Sequence, residues 1–150
     1  MLESLQTILL NYGYLGLFLA SFLASTIVPF GSEGILVFLV YEKFNIPALV
    51  LVASAGNYFG ACTSYYIGLK GRSFAEKYLS IDPGNLEKAE KYFSKYGAIV
   101  LLFTWLPFIG DAFTVFGGLL RFKFWIFSIL VFTGKFLRYL ALAYLAAAVF

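Results

Sequence analysis

Pro29-Phe30-Gly31-Ser32-Glu33-Gly34 cuts an apolar sequence that runs from Tyr14 to Val28 and resumes only from Ile35 to Tyr41, before Glu42-Lys43. Proline and glycine at the cut stop a continuous helix. A straight transmembrane helix needs about 20 apolar residues, so a long piece followed by a short one predicts a broken hairpin that enters and leaves one face of a membrane. Ala48 to Leu69, by contrast, is long enough to cross.

The same pattern returns. After Tyr96-Gly97 an apolar run breaks at Pro107-Phe108-Ile109-Gly110-Asp111, resumes to Leu120, pauses at Arg121-Phe122-Lys123 and continues to Phe150. An offset of 78 residues matches Pro29 to Pro107, Glu33 to Asp111, Lys43 to Arg121, Gly56 to Gly134 and Tyr66 to Tyr144. Each unit is a hairpin plus one long helix and crosses an odd number of times, which turns the second unit upside down relative to the first. The expected fold is therefore an all-α integral membrane domain of two inverted repeats, each a re-entrant helical hairpin plus a long transmembrane helix. The repeats span about 12–69 and 96–150, with a polar linker over 70–95.

Composition agrees. Of the 150 residues, 61% are hydrophobic and 13% charged, with 18 Phe; soluble domains carry about a quarter charged residues. The opening Met1-Leu2-Glu3-Ser4 lacks a basic n-region, so the first apolar run reads as a retained membrane segment. Within the linker, Asp82-Pro83 supplies a helix N-cap and first-turn proline, and Leu86, Ala89 and Phe93 share one face. That helix either lies on the membrane surface or packs as an ordinary linker helix. Lys70, Arg72, Lys77, Lys88, Lys91 and Lys95 gather in the linker, and Arg121 and Lys123 fall on the same side, against Lys43 on the other. By the positive-inside rule the linker is cytoplasmic and both termini are outside.

Four ionisable residues fall where hydrocarbon is expected: Glu33 and Asp111 at the breaks, and Lys135 and Arg138 about a dozen residues into the last helix. At roughly 2.5–3.5 kcal/mol each by insertion scales, such charges persist when paired or facing a wet cavity. Inversion brings Glu33 and Asp111 together near the bilayer centre. The breaks at Pro29, Gly31, Pro107 and Gly110 free backbone groups at that depth for binding an ion or phosphate. A carboxylate there could carry a proton, and Lys135 and Arg138 could hold an anionic headgroup. The competing reading is structural, two ion pairs that lock the hairpins. Gly56, Gly60, Ser64 and Gly68 form a smooth stripe for close helix packing.

Enzyme chemistry loses ground. With no His and a single Cys62, the chain offers no His base, no His or thiolate metal site and no internal disulfide. Gly-x-Ser-x-Gly and Ser-x-x-Lys are absent as well. No cofactor, metal or nucleic acid is expected.

Pro29-Phe30-Gly31-Ser32-Glu33, Gly56-Asn57-Tyr58-Phe59-Gly60 through Tyr65-Tyr66-Ile67-Gly68-Leu69-Lys70-Gly71, and Trp105-Leu106-Pro107-Phe108-Ile109-Gly110-Asp111 followed by Gly117-Gly118 together resemble the DedA family, also called the SNARE-associated or VTT-domain family, and in particular its short YqaA branch. The likeness covers nearly the whole chain. It implies two opposed re-entrant hairpins and translocation of lipids, notably polyprenyl-phosphate carriers such as undecaprenyl phosphate, with proton coupling as an option. One departure stands out. Many members of the family carry arginines three residues before and after the second-loop proline, where this chain has Thr104 and Gly110. If those arginines grip the phosphate, Lys135 and Arg138 replace them here or the substrate differs.

The expected role is thus a membrane transporter, a flippase for an anionic lipid such as polyprenyl phosphate or a phospholipid. The alternatives are a proton- or cation-coupled small-solute transporter and a non-transporting factor for membrane homeostasis. Cell (inner) membrane location follows, and a chain this short could form a homodimer to shield a wet centre.

Overall fold

The structure is a computed structural model that describes residues 2–26, 31–78, 83–106 and 109–150. Pro29, Pro107 and the expected N-cap Asp82 lie outside the described residues. Eight α-helices are described: α1 Leu2–Asn11, α2 Gly13–Ala24, α3 Ser32–Tyr41, α4 Ile46–Leu69, α5 Arg72–Tyr78, α6 Pro83–Tyr96, α7 Ile109–Leu119 and α8 Phe124–Val149. A 3-10 segment, Gly97–Phe103, precedes α7. The described residues contain no strand.

Length sorts these helices into two kinds. At 1.5 Å per residue α4 and α8 reach about 36 and 39 Å, more than the roughly 30 Å of bilayer hydrocarbon, whereas α3 and α7 reach only about half of it. Only α4 and α8 among the described residues are long and apolar enough to cross a membrane. α4 starts two residues before the apolar run because Asn45 caps it, its side-chain oxygen accepting from the Ala48 amide at 3.0 Å, with Pro47 in the first turn.

The 78-residue offset maps α3 onto α7 and α4 onto α8 to within two residues at either end. The ends of the short helices match in detail. α3 closes with the Phe44 amide donating to the Leu39 carbonyl at 3.1 Å and the Lys43 amide to Val40 at 3.0 Å; α7 closes with Phe122 donating to Gly117 at 3.1 Å and Arg121 to Gly118 at 3.0 Å. Both are Schellman turns, and the left-handed residue of each is basic, Lys43 at φ 66° and Arg121 at φ 55°. Glycine would adopt that conformation without steric cost, but a cation there faces the negative end of the helix dipole. The first arms differ: α2 is a regular helix of 12 residues, and its counterpart is the tighter 3-10 segment, entered through Gly97 at φ 69°.

Two apolar cores form at opposite ends of the α4·α8 pair. In one, Leu49, Val50 and Ala53 of α4 meet Tyr139, Ala143 and Ala146 of α8, together with Leu17 of α2 and Leu36, Leu39 and Val40 of α3. In the other, Ala61 and Tyr65 of α4 meet Phe127 and Val131 of α8, together with α6, the 3-10 segment and α7. The start of α4 therefore lies beside the end of α8, so the two long helices run antiparallel. α3 packs at one end of the pair and α7 at the other.

Glycines set the closest approaches. Gly56 and Gly60 lie against the backbone of α2 at Phe18 and Phe22, and Gly68 lies against Val115 of α7 while Gly118 of α7 lies against Tyr65. A Cβ at any of these four positions would collide with a carbonyl oxygen. The small-residue stripe is thus a packing surface shared between α2 and α7. The apolar face of α6 packs inward: Leu86, Ala89 and Phe93 are buried in the chain's own core against the 3-10 segment and α7.

Candidate functional site, a charged layer between two apolar cores

Read along α4, apolar core residues give way at Ser54 and Asn57 to buried polar ones, then resume at Ala61. Along α8 the same happens between Val131 and Tyr139, where Lys135 and Arg138 sit. Asn57 and Lys135 are each the twelfth residue of their helix, and they are 3% and 1% exposed. They are also related by the 78-residue offset. At about 18 Å from the helix start, both fall near the middle of a spanning helix.

The acids come from the short helices. Glu33 stands in the first turn of α3 and Asp111 in the first turn of α7. Gly31 caps α3 at φ 120°, a conformation open to glycine at low cost, and this turns the chain into the helix with Ser32 and Glu33 aimed at α8. Arg138 Nη2 donates to Glu33 Oε1, the two side chains being 22% and 29% exposed.

A directed chain of hydrogen bonds reaches the same carboxylate. Ser32 Oγ donates to Glu33 Oε2 at 3.3 Å and lies 3.0 Å from the Tyr139 hydroxyl, which accepts from Asn57 Nδ2 at 3.2 Å. A serine has one proton to give, so with Ser32 donating to Glu33 the Tyr139 hydroxyl must donate to Ser32. The donors then run Asn57 to Tyr139 to Ser32 to Glu33. Asn57 Nδ2 also donates to the Ser21 carbonyl of α2 at 3.0 Å, tying α2, α3, α4 and α8 into one network.

Asp111 is coupled differently. Its carboxylate and the buried Lys135 ammonium attract one another, but no direct ion pair between them is among the described contacts. Gly110, beside it, lies against the Thr104 backbone so closely that an added Cβ would collide with the Thr104 carbonyl oxygen. Thr104 is buried, its hydroxyl donating to the Leu101 carbonyl at 3.0 Å. Thr104 and Gly110 therefore touch each other, and a large side chain at Gly110 has no room.

The structure brings Glu33 to Arg138 and Asp111 within electrostatic reach of Lys135. No contact between Glu33 and Asp111 is among the described residues; both acids stand beside bases three residues apart on α8, Arg138 and Lys135. Sequence reasoning missed Asn57 and Tyr139. Asn57 carried one signal, its offset match to Lys135. The hydroxyls of Ser21, Ser25 and Ser54 and Asn57 Oδ1 are buried with no partner among the described residues. They add polar atoms to the layer between the cores.

The VTT domain model matches residues 5–148 of the chain. The chain belongs to the VTT-domain family. A Haemophilus influenzae relative described as an uncharacterized protein is 39% identical over 140 residues, covering 87% of this chain and 85% of the relative. Inner membrane protein YqaA of Escherichia coli is 35% identical over 128 residues, covering 85% and 86% respectively. Uncharacterized membrane protein YbfM of Bacillus subtilis is 30% identical over 109 residues, covering 67% of each. No solved structure matches the chain. With relatives named as membrane proteins and two helices suited to crossing, this VTT-domain chain is a membrane protein.

Proposed function

We propose that the protein is a transporter that carries the anionic headgroup of a lipid across the membrane through the layer between its two cores. The observation that carries this reading is the placement of Lys135 and Arg138 midway along a helix long enough to span, with Arg138 paired to Glu33 and Asp111 near Lys135. Charges at that depth are costly, and a pathway for a charged group is the usual reason they are kept.

The two hairpins are read as re-entrant and the halves as inverted repeats. Support comes from the antiparallel α4 and α8, the short α3 and α7 at opposite ends, and the matching Schellman turns at Lys43 and Arg121. Exposing the central layer first to one side and then to the other moves a bound headgroup across. The guanidinium of Arg138 offers the geometry for a phosphate, and in this reading a phosphate that takes its Nη2 donor displaces Glu33. The freed carboxylate would then accept a proton, which links headgroup binding to proton movement. Polyprenyl phosphate and phospholipid both present such a head. The basic linker of residues 70–95 lies on the cytoplasmic side in this reading, and two copies could pair to shield the polar layer.

A second reading has its own support: Arg138 already engages Glu33, as a purely structural counter-ion would, and Lys135 stands near Asp111, which leaves the two carboxylates to carry a cation or proton for a small solute. Reconstitution in proteoliposomes separates the two. Labelled polyprenyl phosphate or phospholipid that changes leaflet only with the protein present supports the lipid carrier. No lipid movement by folded protein, with a small solute or protons moving instead, replaces it with the second reading.

A further inference from the structure

Tyr92, Tyr96, Ile99, Phe103, Ile109 and Phe113 line an apolar groove of about 490 Å³ between α6, the 3-10 segment and α7. That volume falls in the roughly 300–1,000 Å³ range of small-ligand sites. The groove is distinct from the packing face of α6, since Leu86, Ala89 and Phe93 already fill the core. Its mouth is open: Tyr92, Tyr96, Ile99 and Phe103 are each about half exposed.

The charges on α6 are segregated relative to this groove. At 100° per residue, Tyr92 and Tyr96 come next to the buried face on one side. Exposed Lys88, Lys91 and Lys95, spaced i, i+3 and i+7, form the adjoining strip, and Glu87 and Glu90 lie only beyond it. Lys95 Nζ sits 5.2 Å from the centre of the Tyr96 ring, which joins the cationic strip to the aromatic lip. An apolar slot beside three cations, with the anions on the far edge, is complementary to a molecule with a greasy tail and a negative head.

We propose that this groove docks one anionic lipid, its tail along Ile99, Phe103 and Phe113 and its head on Lys88, Lys91 and Lys95. The site is separate from the layer holding Glu33 and Lys135 and rests on the membrane location of the chain rather than on transport through that layer. It gives the linker helix a role as a headgroup-reading lip at the edge of the groove.

The test uses the full chain in phosphatidylcholine vesicles containing a trace of acyl-photoreactive phosphatidylglycerol or acyl-photoreactive phosphatidylcholine, with labelled peptides mapped by mass spectrometry. Labelling of 99–113 should be several-fold higher with phosphatidylglycerol, and K88Q/K91Q/K95Q should remove the excess while circular dichroism stays unchanged. Glu33→Gln should label like wild type, so a loss of transport and a loss of this site are told apart. Equal labelling by the two lipids, or an excess that survives the triple substitution, overturns the proposal. An unlabelled groove in a chain that sediments as a dimer would assign it to a second copy instead, and overturns it too.

Discussion

Glu33 is held from two sides, by the Arg138 guanidinium and by the run of donors through Ser32 and Tyr139. Removing one charge of a pair this deep leaves the other without compensation, which costs more than removing both. Glu33→Gln and Arg138→Gln should therefore each lower thermal stability in detergent more than the double substitution does; additive losses would show that the pair is not coupled. Tyr139→Phe removes a hydroxyl with two partners and should cost on the order of 1 kcal/mol without touching a charge. Glycine at 110 is required by space. Gly110→Ala drives a methyl into the Thr104 carbonyl and should destabilise by about 1–3 kcal/mol, whereas Gly34→Ala, with nothing within 4 Å, should melt close to wild type.

The Schellman turns at Lys43 and Arg121 carry the repeat at the level of the element. Arg121→Gly should keep the turn that joins α7 to α8, since glycine accepts a positive φ, while Arg121→Val should lose about 1–2 kcal/mol. Unfolding monitored by circular dichroism in detergent distinguishes them, and equal losses would show that the positive φ is not what matters. These turns also mark how far the sequence could be read. The matched Lys43 and Arg121 were visible as a 78-residue offset, and with them the short-long order of helices, because apolar run length and Pro-Gly breaks are local signals. The 3-10 form of Gly97–Phe103 was not visible, since a short apolar run looks alike in either helix and tertiary packing decides. Nor was the helix α1, whose Leu2–Asn11 stretch is amphipathic rather than uniformly apolar. The four site residues stood out because charge in an apolar run is conspicuous. Asn57 and Tyr139 are common in helices of every kind, and only their burial between the cores brings them into the site. Which base each acid meets was not legible either, since Lys135 and Arg138 lie three residues apart and only the fold assigns Arg138 to Glu33.

Across the whole molecule, the two apolar cores clamp the ends of α4 and α8 and leave a polar layer between them. This arrangement needs the linker on one side and both long helices through the bilayer. In a Cys62→Ala background, Ser94→Cys on exposed α6 should react with a membrane-impermeant maleimide only when the cytoplasmic face is opened; labelling in intact cells would reverse the orientation. The central claim is that Glu33, Asp111, Lys135 and Arg138 act on a travelling headgroup. Its most direct measurement is leaflet exchange of labelled polyprenyl phosphate in proteoliposomes under an imposed pH gradient, comparing wild type with Glu33→Gln and Lys135→Gln. The account predicts transport by wild type and its loss in both variants while each stays folded. Transport that survives Lys135→Gln, or none by folded wild type, would contradict it.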